Sequence, residues 1–247
     1  MKLITWNCNM AFRKKIHLLL EMEPDILVIP ECEDPGKLKF PADIKQPTST
    51  IWFGKNKNKG LGVFSFGNYS LHKLRGHNKE IQTIIPVQVT NKDHSFNLYA
   101  IWANNPDDPD GQYVEQVWKA IHHYGRRIKK TNTILVGDFN SNTIWDKKYR
   151  VGNHSHVVKK LARKGIHSCY HLHHQQTHGK ESHPTFYLYK HWNKPYHLDY
   201  CFASKDLSDM IRSVEIGEHG KWMKYSDHVP VVVTFGMNIR TEEHMNI

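Results

Sequence analysis

The sequence has no apolar run near the roughly 18 residues that span a bilayer, which argues against a helical membrane protein. It is also poor in cysteine, with only Cys8, Cys32, Cys169 and Cys201. None belongs to a C-x-x-C pair, and three stand in apolar or strand-like surroundings, where a free thiol behaves as a small hydrophobe. This points away from a disulfide framework and towards a reducing compartment. The opening "MKLITWNCNM" carries one lysine and no apolar stretch, so it does not read as an export signal, and a cytoplasmic location is expected. Repeats, low-complexity tracts and linker-like segments are missing. A single domain over residues 1–235 is expected, with a polar tail, 236–247, that frays. Acidic side chains are in deficit: 24 Asp and Glu against 34 Lys and Arg give a net charge of +10. Such a balance suits an acidic partner, whether nucleic acid, an anionic surface or a phosphorylated small molecule.

What is present suffices for a folded enzyme-sized unit. The 247 residues are 39% apolar, enough to build a sizeable core. "KLITWNC" reads as a strand and "FRKKIHLLLEME" as a helix, with Phe12, Ile16, Leu19 and Leu20 on one face; "DILVIPECE" is a second buried strand. "IWFGKNKNKGLGVFSF" predicts a hairpin with a basic tip. "IIPVQVT" and "HSFNLYAIWA" are two more strands, and Pro86 suggests an edge position or a bulge for the first. Asp110 is a candidate cap for the helix in "QYVEQVWKAIHHYGRRI". "NTILVGDFNSN" is a strand, and "NHSHVVKKLARKGI" is a helix with Asn153 as its cap and Gly165 past its end. "HSCYHLHHQQTHGKESH" reads as loop. "PTFYLY", "HLDYCFAS", "SVEIGE" and "HVPVVVTF" finish as strands a chain that starts as a βαβ unit.

Four strand ends carry oxygen-rich or imidazole groups: Asn7 with Asn9, Glu31 with Glu33, Asp138 with Asn140, and Asp227 with His228. Asp199 lies within "HLDYCF". Hard divalent cations take carboxylate and amide oxygens of this kind. Each group alone could be a turn or a solubilised strand end, but their recurrence at strand ends points to one shared site.

"WNCN", "PECE", "GDFNSN", "HLDYCF" and "SDHVPV" stand in the order seen in the endonuclease/exonuclease/phosphatase superfamily, and the chain resembles it from Trp6 to Val231. That group includes exonuclease III-type repair nucleases, deoxyribonuclease I, sphingomyelinases and inositol polyphosphate phosphatases. The resemblance implies an α/β (α+β) four-layer sandwich, two packed mixed β-sheets flanked by helices, with the site at one mouth. It also implies roles. Asn7 and Glu31 hold a divalent metal, Mg²⁺ with Mn²⁺ as a substitute, and Asp227 lies on or near it. Asp138 acts on the attacking water and Asn140 orients it. His228 faces the phosphate, held by Asp199, and Asn105 matches an amide placed beside the phosphate.

Two departures qualify the likeness. Trp102 stands where relatives show Tyr or His, so it is either a stacking surface or core, and its indole offers one N–H and no acid function. Asn9 stands where some relatives carry Asp. Phe186 and Tyr196 resemble the aromatics that repair nucleases present to an unstacked sugar or base, or are ordinary core. Lys55, Lys57 and Lys59, with Lys147, Lys148 and Arg150, are placed to follow a phosphate backbone. Cys169, His171, His173, His174 and His178 offer a zinc alternative, although their spacing matches no strong zinc module. A metal-dependent phosphodiesterase acting on nucleic acid, DNA first, is therefore expected, with a monomer favoured and no membrane partner. The alternatives are a same-fold enzyme acting on a small or lipid phosphate and a catalytically silent nucleic-acid binder.

Overall fold

The computed structural model describes residues 1–38, 40, 44–76, 78, 81, 83–104, 113–128 and 131–236. The chain begins with β1 (Lys2–Thr5), α1 (Ile16–Leu20), β2 (Ile26–Cys32), β3 (Ser49–Asn56), β4 (Lys59–Ser65) and β5 (Ser70–Lys73). It continues with β6 (Ile84–Thr90), β7 (Ser95–Trp102), α2 (Tyr113–His123), β8 (Thr133–Asp138), α3 (His154–Ala162), β9 (Ile166–Ser168) and α4 (Cys169–His174). The last elements are β10 (Phe186–Tyr187), β11 (Pro195–Tyr196), β12 (Asp199–Ser204), α5 (Lys205–Ser208), β13 (Ile211–Ile216), α6 (His219–Trp222) and β14 (Val231–Phe235).

Two six-stranded mixed sheets result, one in the order β13-β14-β1-β2-β4-β3 and the other β5-β6-β7-β8-β12-β9, and β10 pairs with β11 as a separate hairpin. Strand periodicity builds the layers. Leu3, Ile26 and Val28 of the first sheet meet Leu98, Ala100, Ile134, Val136, Cys201 and Ala203 of the second in a central core. Their neighbours point outwards. Ile4, Leu27 and Ile29 pack on Phe12, Ile16, Leu19 and Trp222. Tyr99, Ile101, Leu135, Tyr200 and Phe202 pack on Val117 and Ile121 of α2 and Val157 and Leu161 of α3. The order is helices, sheet, sheet, helices: the expected four-layer sandwich. Each central strand buries both faces, which is why these strands read as continuous apolar runs. No helix among the described residues is long and apolar enough to cross a membrane, and all four cysteines are free and buried.

Several local expectations are corrected. The first helix is shorter than its pattern: residues Phe12–Lys14 form a 3-10 turn, and Lys15, at φ −127°, separates it from α1. Pro86 lies in β6, an inner strand rather than an edge. Its carbonyl accepts from Leu74 N (3.0 Å) just past the last β5–β6 pair, Lys73 with Val87. The missing N–H therefore faces β5, where the bond back to Leu74 O is forfeited and β5 stops pairing, while pairing with β7 on the other side continues. Asn153 precedes α3 but does not cap it; Asp146 does, accepting from His154 N (2.9 Å) and Ser155 N (3.1 Å). The His-rich segment is not all loop, since β9 and α4 run through its start. Residues 105–112, with Asp110, and the tail from 237 lie outside the described residues.

Candidate active site

Parallel and antiparallel pairing together gather the strand ends. β1 is parallel to β2, and β7 to β8, so Asn7, Glu31, Trp102 and Asp138 all sit at or just past C-terminal strand ends. β12 and β14 run antiparallel to these strands, so Asp199 opens β12 opposite Asp138, and His228 precedes β14 beside β1. All reach the same mouth of the sandwich.

Local backbone geometry turns the side chains inwards. Gly137 has φ +139°, and a Cβ there would lie 1.9 Å from Ile101 O, so only glycine lets β8 lie this close to β7 before Asp138. Glu31 has φ +62° and falls where the β2–β4 register shifts between Pro30 and Cys32. This bulge re-aims its carboxylate from the ladder towards the site. Asn140, at φ +49°, donates its backbone N–H to Asp138 Oδ1 (2.8 Å).

The polar groups form one connected set. Asn7 Nδ2 donates to Asp138 Oδ2 (3.0 Å) and, more weakly, to Glu31 Oε1 (3.4 Å), while its Oδ1 accepts from Asn9 N (3.1 Å). Asn9 Nδ2 donates to Asp227 Oδ1 (3.2 Å). His228 Nδ1 lies 2.8 Å from Asp199 Oδ2. The ligand-type atoms of Asp138, Asp199 and His228 lie within 4.8 Å of one another, and all three residues are buried. Burial, then the Asp199 charge, pushes the Asp138 carboxyl up to about 7, against the opposing pull of His228 and the hydrogen bonds from Asn7 and Asn140. Burial disfavours the His228 imidazolium, but the Asp199 carboxylate, helped by Asp138 and Asp227, holds its pKa up at about 10. A carboxyl with a pKa near neutrality thus faces an imidazole held cationic at neutral pH.

The family model of the Endonuclease/Exonuclease/phosphatase family matches residues 4–228. The chain belongs to this family. No curated protein matches it in sequence. Among solved structures it is similar to an AP endonuclease from Archaeoglobus fulgidus, with 17% identity over 96% of this chain and 100% of that one and a TM-score of 0.68. It is similar to the 3'-5' exonuclease NExo from Neisseria meningitidis, with 19% identity over 96% and 100% and a TM-score of 0.68. A third similarity is to the catalytic domain of Xenopus laevis APE2, with 14% identity over 96% and 92% and a TM-score of 0.70. These likenesses show the fold, which is the deoxyribonuclease I-like one. The family joins nucleases and phosphatases, hydrolases of phosphoesters, and this member keeps carboxylate, amide and imidazole groups together at one mouth.

The remaining family-derived positions fare differently. Trp102 is only 6% exposed and belongs to the central core, with Lys59 Nζ 5.2 Å from its ring centroid, so it is not an open stacking platform. Lys59 itself turns inwards and pairs with Glu31 Oε2 (3.0 Å), whereas Lys55 and Lys57 remain exposed at the hairpin tip. Lys59 does not lie on a loop free to follow a phosphate backbone: it is the first residue of β4, and its side chain lies over the bulge at Glu31. Glu33 does not join the site: it accepts from the backbone N–H of Phe12 (2.7 Å) and Arg13 (3.2 Å) and pairs with the Arg13 guanidinium (2.7 Å). Asp227 touches Asn9 and Ser226. Asn105 lies outside the described residues.

Phe186 packs 4.7 Å from the His228 ring and 6.3 Å from Tyr196, its partner across β10–β11. Tyr196 meets Trp145 at 4.9 Å, which extends the aromatic file outwards. Sequence reasoning missed Trp145, whose only signal is its place just after "GDFNSN". A cavity of about 300 Å³ lined by Asn140, Asn142, Trp145, Lys147 and Arg150 opens beside it. Arg150 is engaged with Glu115 at 2.9 Å. Two small residues were also missed. Thr185 Oγ1 accepts from Leu198 N (2.9 Å) and Asp199 N (3.0 Å), fixing the turn into β12. Ser226 Oγ donates to Asn7 O (2.7 Å) and accepts from His228 N (3.0 Å), tying two strand ends together.

Proposed function

We propose that the chain is a divalent-metal-dependent phosphodiesterase that hydrolyses nucleic acid, DNA first. The observation that carries this reading is the buried His228–Asp199 pair facing the buried Asp138 carboxyl. A silent binder has no need of a cationic imidazole held against two buried carboxylates, because burying such charge is costly unless it is used.

Asp138 takes the proton of the attacking water. A base with a pKa near neutrality combines an available deprotonated form with useful basicity. The Asn140 N–H and the Asn7 amide each hold one Asp138 oxygen, leaving a further lone pair on each for the water. Asn140 lines the adjoining cavity and orients that water. His228 places fixed positive charge and an N–H donor where the phosphoryl oxygens gather negative charge. Asp199 keeps the ring charged and oriented through Nδ1, leaving Nε2 for the phosphate.

Asn7 and Glu31 would hold Mg²⁺, or Mn²⁺ in its place, with Asp227 contributing through the Asn9 link. The donor set fits: these are hard oxygens, and Glu31 Oε2 already attracts a cation, the Lys59 ammonium at 3.0 Å. When bound there, the ion supplies Lewis-acid stabilisation of phosphoryl charge.

Polynucleotide as substrate is supported by the net charge of +10, the exposed Lys55 and Lys57, and the file Phe186–Tyr196–Trp145 leading away from His228. Base–aromatic stacking is sequence-tolerant. The test is purified protein with Mg²⁺, Mn²⁺ or chelator against labelled duplex DNA, single-stranded DNA, abasic duplex, RNA and a generic phosphodiester. Metal-dependent DNA cleavage is expected. Turnover of the small ester alone would reassign the site to a phosphodiesterase with a small substrate.

A further inference from the structure

The fold separates Cys169, His171, His173, His174 and His178 into two groups. Cys169 Sγ faces Cys201 Sγ in the core (3.6 Å), His174 Nε2 is taken by Val214 O (3.0 Å), and His173 is exposed. None of these three is available to a common ligand. His171, His178 and Glu181 are: the loop after α4 folds back so that the His178 ring lies 3.6 Å from that of His171, at an interplanar angle of 21°. One ligand-type atom of each of these three residues lies within 4.8 Å of the other two.

The surroundings are those of a built site. His171 Nδ1 is held by Ser168 Oγ (2.7 Å), which leaves Nε2 turned to Glu181 Oε1 at 3.0 Å. Glu181 is oriented by Gly179 N (2.9 Å) and Asn142 Nδ2 (3.2 Å). A third imidazole, His154, has Nδ1 on Ser141 Oγ (2.8 Å) and Nε2 on His178 Nδ1 (3.4 Å). An imidazole fixed through one nitrogen while the other faces a shared centre is the arrangement that supports metal ligation, because the outer bond sets ring orientation and basicity. Two imidazoles and a carboxylate suit Zn²⁺, with one further position to fill. Nitrogen donors also favour such a borderline metal over Mg²⁺.

We propose that His171, His178 and Glu181 form a Zn²⁺ site, separate from the Asn7–Glu31 mouth, with His154 at its edge. Its role is structural. Ser141 and Asn142 follow Asn140 directly and bond to His154 and Glu181, so an ion here fixes the segment behind Asp138. On binding, the His178 ring tilts out of its stack so that a nitrogen lone pair points at the ion, and the His154–His178 hydrogen bond yields to ligation.

The experiment is Co²⁺ titration of the chelator-stripped full chain, followed by visible absorption, with thermal melting in Zn²⁺ alongside. The proteins are wild type, Glu31→Gln, His178→Ala, His178→Gln and Glu181→Gln, each first shown to be folded without metal by far-UV circular dichroism. Wild type and Glu31→Gln should each bind one Co²⁺ that gives the d–d bands of a nitrogen- and oxygen-ligated site, and both should melt higher in Zn²⁺. Loss of an outer-shell partner typically costs 10- to 100-fold in affinity, so loss of a ligand in the other three variants should weaken Co²⁺ binding by at least about 100-fold. If the bands vanish in Glu31→Gln and persist in both His178 variants, the metal sits at the mouth and the proposal fails. It also fails if wild type shows neither bands nor a Zn²⁺-dependent rise in melting temperature.

Discussion

His228 Nδ1 and Asp199 Oδ2 lie 2.8 Å apart, both residues are buried, and the pair joins the start of β12 to the approach to β14. The relationship has a sign. The folded-state pKa of His228 is raised to about 10, so the stability it contributes is fully present below the ordinary histidine value near about 6.5 and is lost as pH rises through about 10. Asp199→Asn removes most of this. The variant should melt lower than wild type at neutral pH and lose the wild-type decline in melting temperature on the alkaline side. Its turnover should fall by at least ~10², with nucleic-acid binding within a few-fold. His228→Ala should give a loss of similar size, and the double variant should be little worse than either single one if the two act as a unit.

Asp138 has the same sign with a different window. Its folded-state pKa stands at about 7, so the folded state holds a proton that the unfolded chain releases near about 3.9. Stability should therefore fall as pH rises between these values in chelator-treated protein. Asp138→Asn removes a buried negative charge without changing shape. Its melting temperature should be flatter over that range and exceed wild type by several degrees at about pH 8, a gain on the order of 1–2 kcal/mol for a chain of this size. A group whose removal stabilises the fold is one retained for function. Melting curves at a series of pH values decide this, and an Asp138→Asn protein that tracks wild type throughout would show that the carboxyl does not hold its proton.

Lys59 and a divalent ion compete for the same Glu31 oxygen in this account. Lys59→Met should lower the Mg²⁺ concentration needed for half-maximal activity, and Glu31→Gln should raise it, with part of the activity recovered at high Mg²⁺. The metal dependence of turnover measures both. An unchanged Mg²⁺ requirement in Glu31→Gln would remove Glu31 from the ligand set.

Lys55 and Lys57 remain exposed at the β3–β4 tip. If both contact phosphates, replacing them with Ala should reduce the slope of log affinity against log salt by up to roughly 2, since each neutralised phosphate contributes close to ~0.9 on duplex DNA. Turnover of a small diester should not change. Wild-type binding that ignores salt would favour the small-substrate reading.

The layer order was legible through the family resemblance and not through strand periodicity: Leu3 and Ile4, Ile134 and Leu135, and Cys201 and Phe202 are all apolar and bury opposite faces, so their strands read as unbroken apolar runs. The gathering of Asn7, Glu31, Asp138, Asp199 and His228 followed from strand-end motifs in a recognised order. What escaped depended on long-range partners. Glu31 and Glu33 look alike in "PECE", but only the positive φ of Glu31 and the backbone donors of Phe12 and Arg13 send one to the mouth and the other into a loop clasp. β5 carries one buried residue, Leu71, in four, too weak a pattern to read. Lys59 resembles its hairpin neighbours and differs only in facing Glu31 and Trp102. The histidines of α4 could not be sorted until the chain turned back and set His178 on His171.

In the proposed mechanism Asp138 activates water for phosphodiester cleavage, and cleavage by Asp138→Asn is the decisive measurement. The asparagine keeps the volume, can still accept from Asn140 N or Asn7 Nδ2, and cannot take a proton. Cleavage of labelled DNA in saturating Mg²⁺, with binding and melting measured on the same preparation, should show turnover reduced by at least ~10², affinity within a few-fold of wild type and an intact fold. Undiminished cleavage by this variant would contradict the mechanism.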